Sequence, residues 1–298
     1  MRYQRVIEVL GVCVDDQGRT LMVETEGRWS LPGGPVRHGE HPADAISRAV
    51  AEQTGYSVDV VRALDVVTDI DRPARTRFSL HHDRIVLEVR AVGPPVVPAN
   101  CTSHRWLTRT DMAGVRLAPA TARIVGSRPS ETDNHHGRRV SWAKVPSGSR
   151  TRRQRFAAYG LATDPAGHVL LTLISDGYPG AGSWHLPGGG TDFGESAAAG
   201  LTREITEETG QLGAITGLIG VSHRHHRDAR GPEGRAMDWH GVRVVYRVEV
   251  PSPSPPRVMD HGGSTADVAW FTRAQALELP LTEVARDMIS NHLEVTDN

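Results

Sequence analysis

One short pattern occurs twice in this chain and limits what it can fold into. Trp29-Ser30-Leu31-Pro32-Gly33-Gly34 returns as Trp184-His185-Leu186-Pro187-Gly188-Gly189. Behind each copy stands a Gly-Glu pair, Gly39-Glu40 and Gly194-Glu195, then an arginine at matching distance, Arg48 and Arg203, and a closing Thr54-Gly55 or Thr209-Gly210. Farther on, Arg105-Trp106-Leu107-Thr108-Arg109 is echoed by Ala269-Trp270-Phe271-Thr272-Arg273. Two units are too few, and too long, for a solenoid, so the chain reads as a duplicated domain. Its 298 residues suit two domains of about 150 residues, each able to bury its own core. Residues 127–150 are rich in Pro, Ser, Gly, His and Arg and lack apolar periodicity, which is linker composition. The expected division is therefore 1–126, a linker over 127–150, and 151–298.

Composition narrows the partners. A hydrophobic fraction of 38% with 23% charged residues fits a globular protein rather than a disordered or fibrous one. A formal net charge of −1 gives no overall field toward nucleic acid or anionic membrane, so neither is an expected partner. Cys13 and Cys101 have no further cysteines at metal-ligand spacing, which argues against a disulfide framework and for a reducing compartment. No apolar run suits a signal peptide or a membrane-spanning helix, and a cytoplasmic location is expected. Lys144 is the single lysine among many arginines, which suggests a GC-rich bacterial source.

The second half illustrates the local structure. Arg155 to Ala162 alternates as a strand, Asp164-Pro165-Ala166-Gly167 is a turn, and His168 to Ile174 is a second strand. After a glycine-rich loop, Ser196 to Thr209 reads as a helix stopped by Gly210. Val242 to Val250 is a β-branched strand, Pro251 to Pro256 a loop, and Thr272 to Ile289 mostly helical. Strands on both sides of a helix, with more helix at the end, predict an α+β fold or three-layer sandwich.

The chemistry concentrates in Arg203-Glu204-Ile205-Thr206-Glu207-Glu208. Glu204, Glu207 and Glu208 stand at i, i+3 and i+4, so three carboxylates share one helix face. Like charges at that spacing destabilise a helix unless a cation sits among them. Hard oxygen ligands suit Mg²⁺ or Mn²⁺. Gly188-Gly189-Gly190 just before the helix allows close backbone approach to a ligand, and Arg203 is placed to tie the helix to the loop through Glu195.

Gly189, five residues, Glu195, seven residues, and Arg203-Glu204-Ile205-x-Glu207-Glu208-x-Gly210 resemble the box that defines the Nudix hydrolase family. One departure is Gln211, where the family has an apolar residue; Leu212 next to it is the expected substitute. The resemblance covers the whole second half and implies two tandem Nudix-type α/β/α sandwich domains. It also implies that Glu204, Glu207 and Glu208 ligate Mg²⁺ or Mn²⁺ and that Gly189 adds its backbone carbonyl. Arg203 and Glu195 would then brace the loop. The reaction implied is attack of water on phosphorus in a nucleoside diphosphate linked to another group, which makes a small nucleotide-type diphosphate the expected partner. Glu204 is the first choice of general base, with Glu233 and Asp238 as alternatives outside the box. In the first half Gly34, Glu40, Arg48, Glu52, Gly55 and Tyr56 follow the pattern, but Ala49 and Gln53 replace two of the three glutamates. That copy is expected to be inactive, serving as a scaffold or as a wall of the substrate pocket. The chain is then either a monomer with an internal pseudo-dimer or a homodimer.

Several other readings are weaker. Ser222-His223-Arg224-His225-His226-Arg227 reads as a cationic loop in which Arg224, His225 and Arg227 are candidates to grip phosphates. A zinc site built from these histidines is not expected, because no partner ligand stands at a recognisable spacing. Phe193 and Trp239 are candidates to stack on a base, whereas Trp184, matched by Trp29, is expected in the core. Arg138, Arg139, Arg150, Arg152, Arg153 and Arg155 read as a basic tether. A nucleotide-binding sensor without turnover and a prenyl diphosphate isomerase are the competing functions.

Overall fold

The computed structural model describes residues 2–72, 78–96, 102–126, 151–230, 236–259 and 263–293. The expected linker, with Arg138, Arg139 and Arg150, lies outside them, as do Cys101 and Glu233. The first half runs β1 (Arg2–Cys13), β2 (Thr20–Thr25), β3 (Arg28–Ser30), β4 (Gly33–Pro35), α1 (Pro42–Thr54), β5 (Ser57–Asp71), β6 (Phe78–Val92), β7 (His104–Leu107), α2 (Arg109–Ala113) and α3 (Pro119–Ile124). The second repeats this order as β8 (Thr151–Thr163), β9 (Val169–Ile174), β10 (Trp184–His185), β11 (Gly188–Gly190), α4 (Ala197–Thr209), β12 (Ala214–Arg230), β13 (Ala236–Glu249), β14 (Thr265–Phe271), α5 (Arg273–Glu278) and α6 (Glu283–His292). Mixed strands and helices in two tandem copies give the expected α+β class.

The strands and helices fall into two compact units. One comprises Met1–Gln154 together with His223–His240; the other comprises Arg155–Ser222 and Gly241–Asn298. The outer part of the β12–β13 segment thus belongs with the first unit. In that unit β4-β1-β6-β5 form one sheet, with β1 and β6 parallel, and β3-β2-β7 form a second, antiparallel one. Met22, Trp29, Leu31, Leu107, Met112 and Ala122 close its core beneath α2 and α3. In the other unit Leu161, Val169, Leu171, Leu186, Val245 and Ile289 form the core, with Trp184 packed against them. Trp184 also meets Phe271 edge to face at 4.9 Å. Core packing, not ligand stacking, accounts for that residue.

The predicted helix over Thr272–Ile289 is two short helices. Pro280 lacks an N–H and disfavours helix at Leu279, so α5 ends there and Thr282 caps a fresh start for α6. Among the described residues no helix is long and apolar enough to cross a membrane.

Candidate active site

Helix α4 begins where Ser196, in extended conformation, accepts a hydrogen bond from Ala199 N, and it ends at Gly210 in the left-handed region at φ 68°. Leu201 and Ile205 anchor it in the core. One turn on from Ile205, the buried stripe continues into Glu208, which is only 8% exposed. A carboxylate in that position needs compensation. Glu208 accepts hydrogen bonds from Gly188 N at 2.9 Å and Thr265 Oγ1 at 2.7 Å, and Ser264 adds another. These partners are neutral. Burial outweighs them and pushes the Glu208 carboxyl up to about 7.

Glu204 is half-buried one turn earlier, and burial raises its carboxyl too, against the pull of Arg203. A Cβ on Gly189 would stand 2.7 Å from Glu204 Oε1, so only glycine leaves the carboxylate where it is. Arg203 organises the rest. Its Nε and Nη2 grip both oxygens of Glu195 at 3.0 Å, and its Nη1 reaches Glu204 Oε1 and Glu207 Oε2, also at 3.0 Å. Those bonds, first the ones to Glu195, hold the guanidinium firmly protonated. Nη2 also donates to Gly190 O, and Asp192 N donates to Glu195 Oε2 at 2.9 Å, so loop and helix are braced as one piece. Three carboxylates on one helix face, two of them held by Arg203, are all hard oxygen donors and fit a divalent cation. Arg155 of β8, counted in sequence with a basic tether, lies against Gly190, and its charge opposes the rise at Glu204. Nothing in its local sequence marked it.

The first unit repeats the brace with only one of the three carboxylates. Arg48 grips Glu40 at 2.7 and 2.9 Å and donates to Pro35 O, while Arg37 N donates to Glu40 Oε2. Glu52, half-exposed, pairs with Arg37 and Arg48. Ala49 is buried and brings no oxygen. Gln53 bonds Gly33 through both halves of its amide, accepting from N at 2.9 Å and donating to O at 2.8 Å. A cavity of about 270 Å³ opens beside it, lined among others by Glu8, Gly34, Gln53, His82 and Arg84.

The sequence-predicted residues divide between the units. Glu195, Arg203, Glu204, Glu207, Glu208, Gly189 and the exposed Phe193 belong to the second. Arg224, His225, Arg227, Asp238 and Trp239 belong to the first. The expected cationic loop over Ser222–Arg227 is strand: it lies inside β12. Dense charge hid its period of two, in which His223 and His225 are half-buried while Arg224 and His226 are exposed. Leu212 does not replace the apolar residue of the box, being 76% exposed. Gln211 itself is buried, with its amide bonded to Thr209 O and to Ser254 O and Oγ, and Ser254 N donates back to it. A side chain with donor and acceptor satisfies the turn after α4 that an apolar one would only fill.

A duplicated α+β sandwich with one acidic loop-helix centre, and one lacking two of its carboxylates, defines the class of this protein. The family model of the NUDIX domain matches residues 4–125 and again 153–292, and the chain belongs to the Nudix family. It is an enzyme of the Nudix hydrolase and pyrophosphatase type, whose members act on nucleoside diphosphate derivatives and generally need divalent metal ions. It is 28% identical over 134 residues to the nucleoside triphosphatase NudI of Enterobacter sp., which covers 45% of this chain and 93% of that one. It is 35% identical over 81 residues to an ADP-ribose pyrophosphatase of Methanocaldococcus jannaschii, covering 27% of this chain and 43% of the other. The crystal structure of a MutT NUDIX hydrolase from Burkholderia pseudomallei is 27% identical, with a TM-score of 0.34, over 46% of this chain and 97% of that one.

Proposed function

We propose that the second unit hydrolyses the phosphoanhydride of a nucleoside triphosphate or a nucleotide conjugate, and that the first unit does not turn over. The observation that carries this reading is the single helix face bearing Glu204, Glu207 and Glu208 beside Gly189, with Glu208 buried and raised to about 7. Mg²⁺ or Mn²⁺ would be held by these three carboxylates and the Gly189 carbonyl. When bound, the ion neutralises phosphate oxygens and acidifies a water. Arg203 and Glu195 keep the carboxylates in place, so little reorganisation is left for the reaction. Glu204, half-buried and raised, is the group placed to accept the proton of the attacking water. Arg155, next to Gly190, is placed to meet a phosphate oxygen. The relatives named a nucleoside triphosphatase and an ADP-ribose pyrophosphatase support the nucleotide class.

The test is release of phosphate or pyrophosphate from a panel of nucleotides and nucleotide conjugates with Mg²⁺ or Mn²⁺. Wild type should turn over at least one compound, Glu207→Gln/Glu208→Gln should lose that activity by orders of magnitude, and Glu52→Gln should keep it. Full activity in the double variant would overturn the assignment of the metal helix. Binding of nucleotides without turnover would favour a sensor.

A further inference from the structure

The first unit holds a second concentration of ligand-type side chains that the hydrolase chemistry does not use. His38 comes from the loop after β4, His225 from β12 and Asp238 from β13, and their ligand atoms lie within 4.8 Å of one another. His225 Nε2 is 2.7 Å from Asp238 Oδ1, and His38 Nε2 is 3.0 Å from the same oxygen. His38 Nε2 is closed off from solvent and out of line for a hydrogen bond to that oxygen. Two imidazole nitrogens therefore converge on one carboxylate atom, and hydrogen bonding satisfies only one of them.

The surroundings fix this convergence. The His225 ring lies so close to the backbone of Gly39 that a Cβ there would stand 2.7 Å from its Nδ1, and Gly39 holds φ +81°. A Cβ on its counterpart in the other half, Gly194, would meet nothing within 4 Å. His240, fully buried, stands edge-on to both rings, with centroids 5.5 Å from His38 and 5.9 Å from His225. Gln154 Nε2 donates to Val36 O and to His240 Nδ1, which leaves the His240 proton on Nε2 to be donated to His223 Nδ1 at 3.2 Å. His240 is thus a neutral wall rather than a ligand. Arg152 approaches the other oxygen of Asp238, at 3.6 Å.

We propose that His38, His225 and Asp238 form a second metal site, which takes a borderline divalent transition ion, zinc first. Two imidazoles and a carboxylate suit Zn²⁺, Co²⁺ or Ni²⁺, whereas the all-oxygen helix α4 suits Mg²⁺ or Mn²⁺. Ligand bonds of about 2.0–2.1 Å at tetrahedral angles put neighbouring ligand atoms roughly 3.3 Å apart. The present spacings of 2.7 and 3.0 Å need to open by only a few tenths of an ångström. Three protein ligands leave one position to water. A bound ion would tie the β12–β13 segment to the loop of the inactive box, within the first unit.

The experiment uses the full-length protein with excess Mg²⁺ to saturate the glutamate helix. Zn²⁺ binding is followed by competition with a chromophoric chelator, and the zinc ligand shell is read by X-ray absorption at the zinc edge on wild type. One ion should bind with two imidazoles in its shell. His38→Gln and His225→Gln should each weaken binding by at least about tenfold, while Glu207→Gln/Glu208→Gln should leave it unchanged. The absorption measurement decides even where a histidine variant does not fold. An all-oxygen shell, loss of binding in the glutamate variant rather than the histidine ones, or no binding overturns the proposal.

Discussion

At the end of α1 the amide of Gln53 closes a ring with the backbone of Gly33, giving a hydrogen to its carbonyl and taking one from its N–H. At the same place in α4, Glu208 takes the N–H of Gly188 but has nothing to give its carbonyl when ionised. One turn earlier Ala49 faces the core where Glu204 presses against Gly189. The arginine braces, by contrast, agree almost bond for bond: Arg48 on Glu40 and Pro35 O, Arg203 on Glu195 and Gly190 O. The brace is therefore common to both halves, whatever stands at the metal-type positions. The carboxylates are an addition that local folding does not require, and in the absence of a cation they carry a desolvation cost.

The largest consequence should appear when Gln53 is imported into the second half. Glu208→Gln keeps the shape and the bond to Gly188 N but removes a hard anionic oxygen. Turnover should fall about 10²–10⁴-fold, while the metal-free protein at pH 8 becomes more stable, because no buried carboxylate has to ionise. Equal turnover in variant and wild type would erase the distinction between the halves.

A second effect follows from the same residue. With its folded value near 7 and an ordinary value of 4.5, Glu208 holds a proton in the folded chain that the unfolded chain releases. Its contribution is complete below about pH 4.5 and is lost as pH rises through 7, a difference of about 3 kcal/mol. Urea denaturation in chelator at pH 5 and pH 8 should show that decline in wild type, a smaller one in Glu208→Gln, and a smaller one in wild type with Mg²⁺ present. A decline unchanged in Glu208→Gln would assign it to another group.

Much of this was legible from the chain. The i, i+3, i+4 spacing of Glu204, Glu207 and Glu208 placed them on one face, and the paired Gly-Glu and Arg positions announced the brace, because both are local and periodic. Features that depend on distant contacts were not legible. Arg155 reads as part of a basic stretch until β8 sets it on Gly190. His38 stands far along the chain from His225, so no ligand spacing connected them, and the polar alternation of β12 passed for a loop. Gln211 departs from the pattern in sequence because its partner Ser254 lies beyond both β12 and β13.

Smaller effects should separate the glycines. In Gly189→Ala the new Cβ would stand 2.7 Å from Glu204 Oε1 and displace a flexible carboxylate rather than the backbone. Turnover should drop about 10–100-fold with little change in melting temperature. In Gly34→Ala the nearest atom is Ala49 Cβ at 3.9 Å, so neither quantity should move. A large loss of stability in Gly189→Ala would mean that the close approach serves folding and not the carboxylate.

The smallest change reverses the first one. Gln53→Glu gives the helix of the first half a second glutamate at the three metal-type positions, beside Glu52, but turns an oxygen toward Gly33 O, where an N–H now donates at 2.8 Å. Losing that bond should cost about 1–2 kcal/mol, seen as a lower melting temperature. No activity should appear when Glu208→Gln has silenced the second half, because Ala49 still supplies no oxygen beside Gly34. If Gln53→Glu alone produced turnover in that background, two carboxylates would suffice for the chemistry, and the absence of Glu204's counterpart would not support the proposal that the first half is inactive.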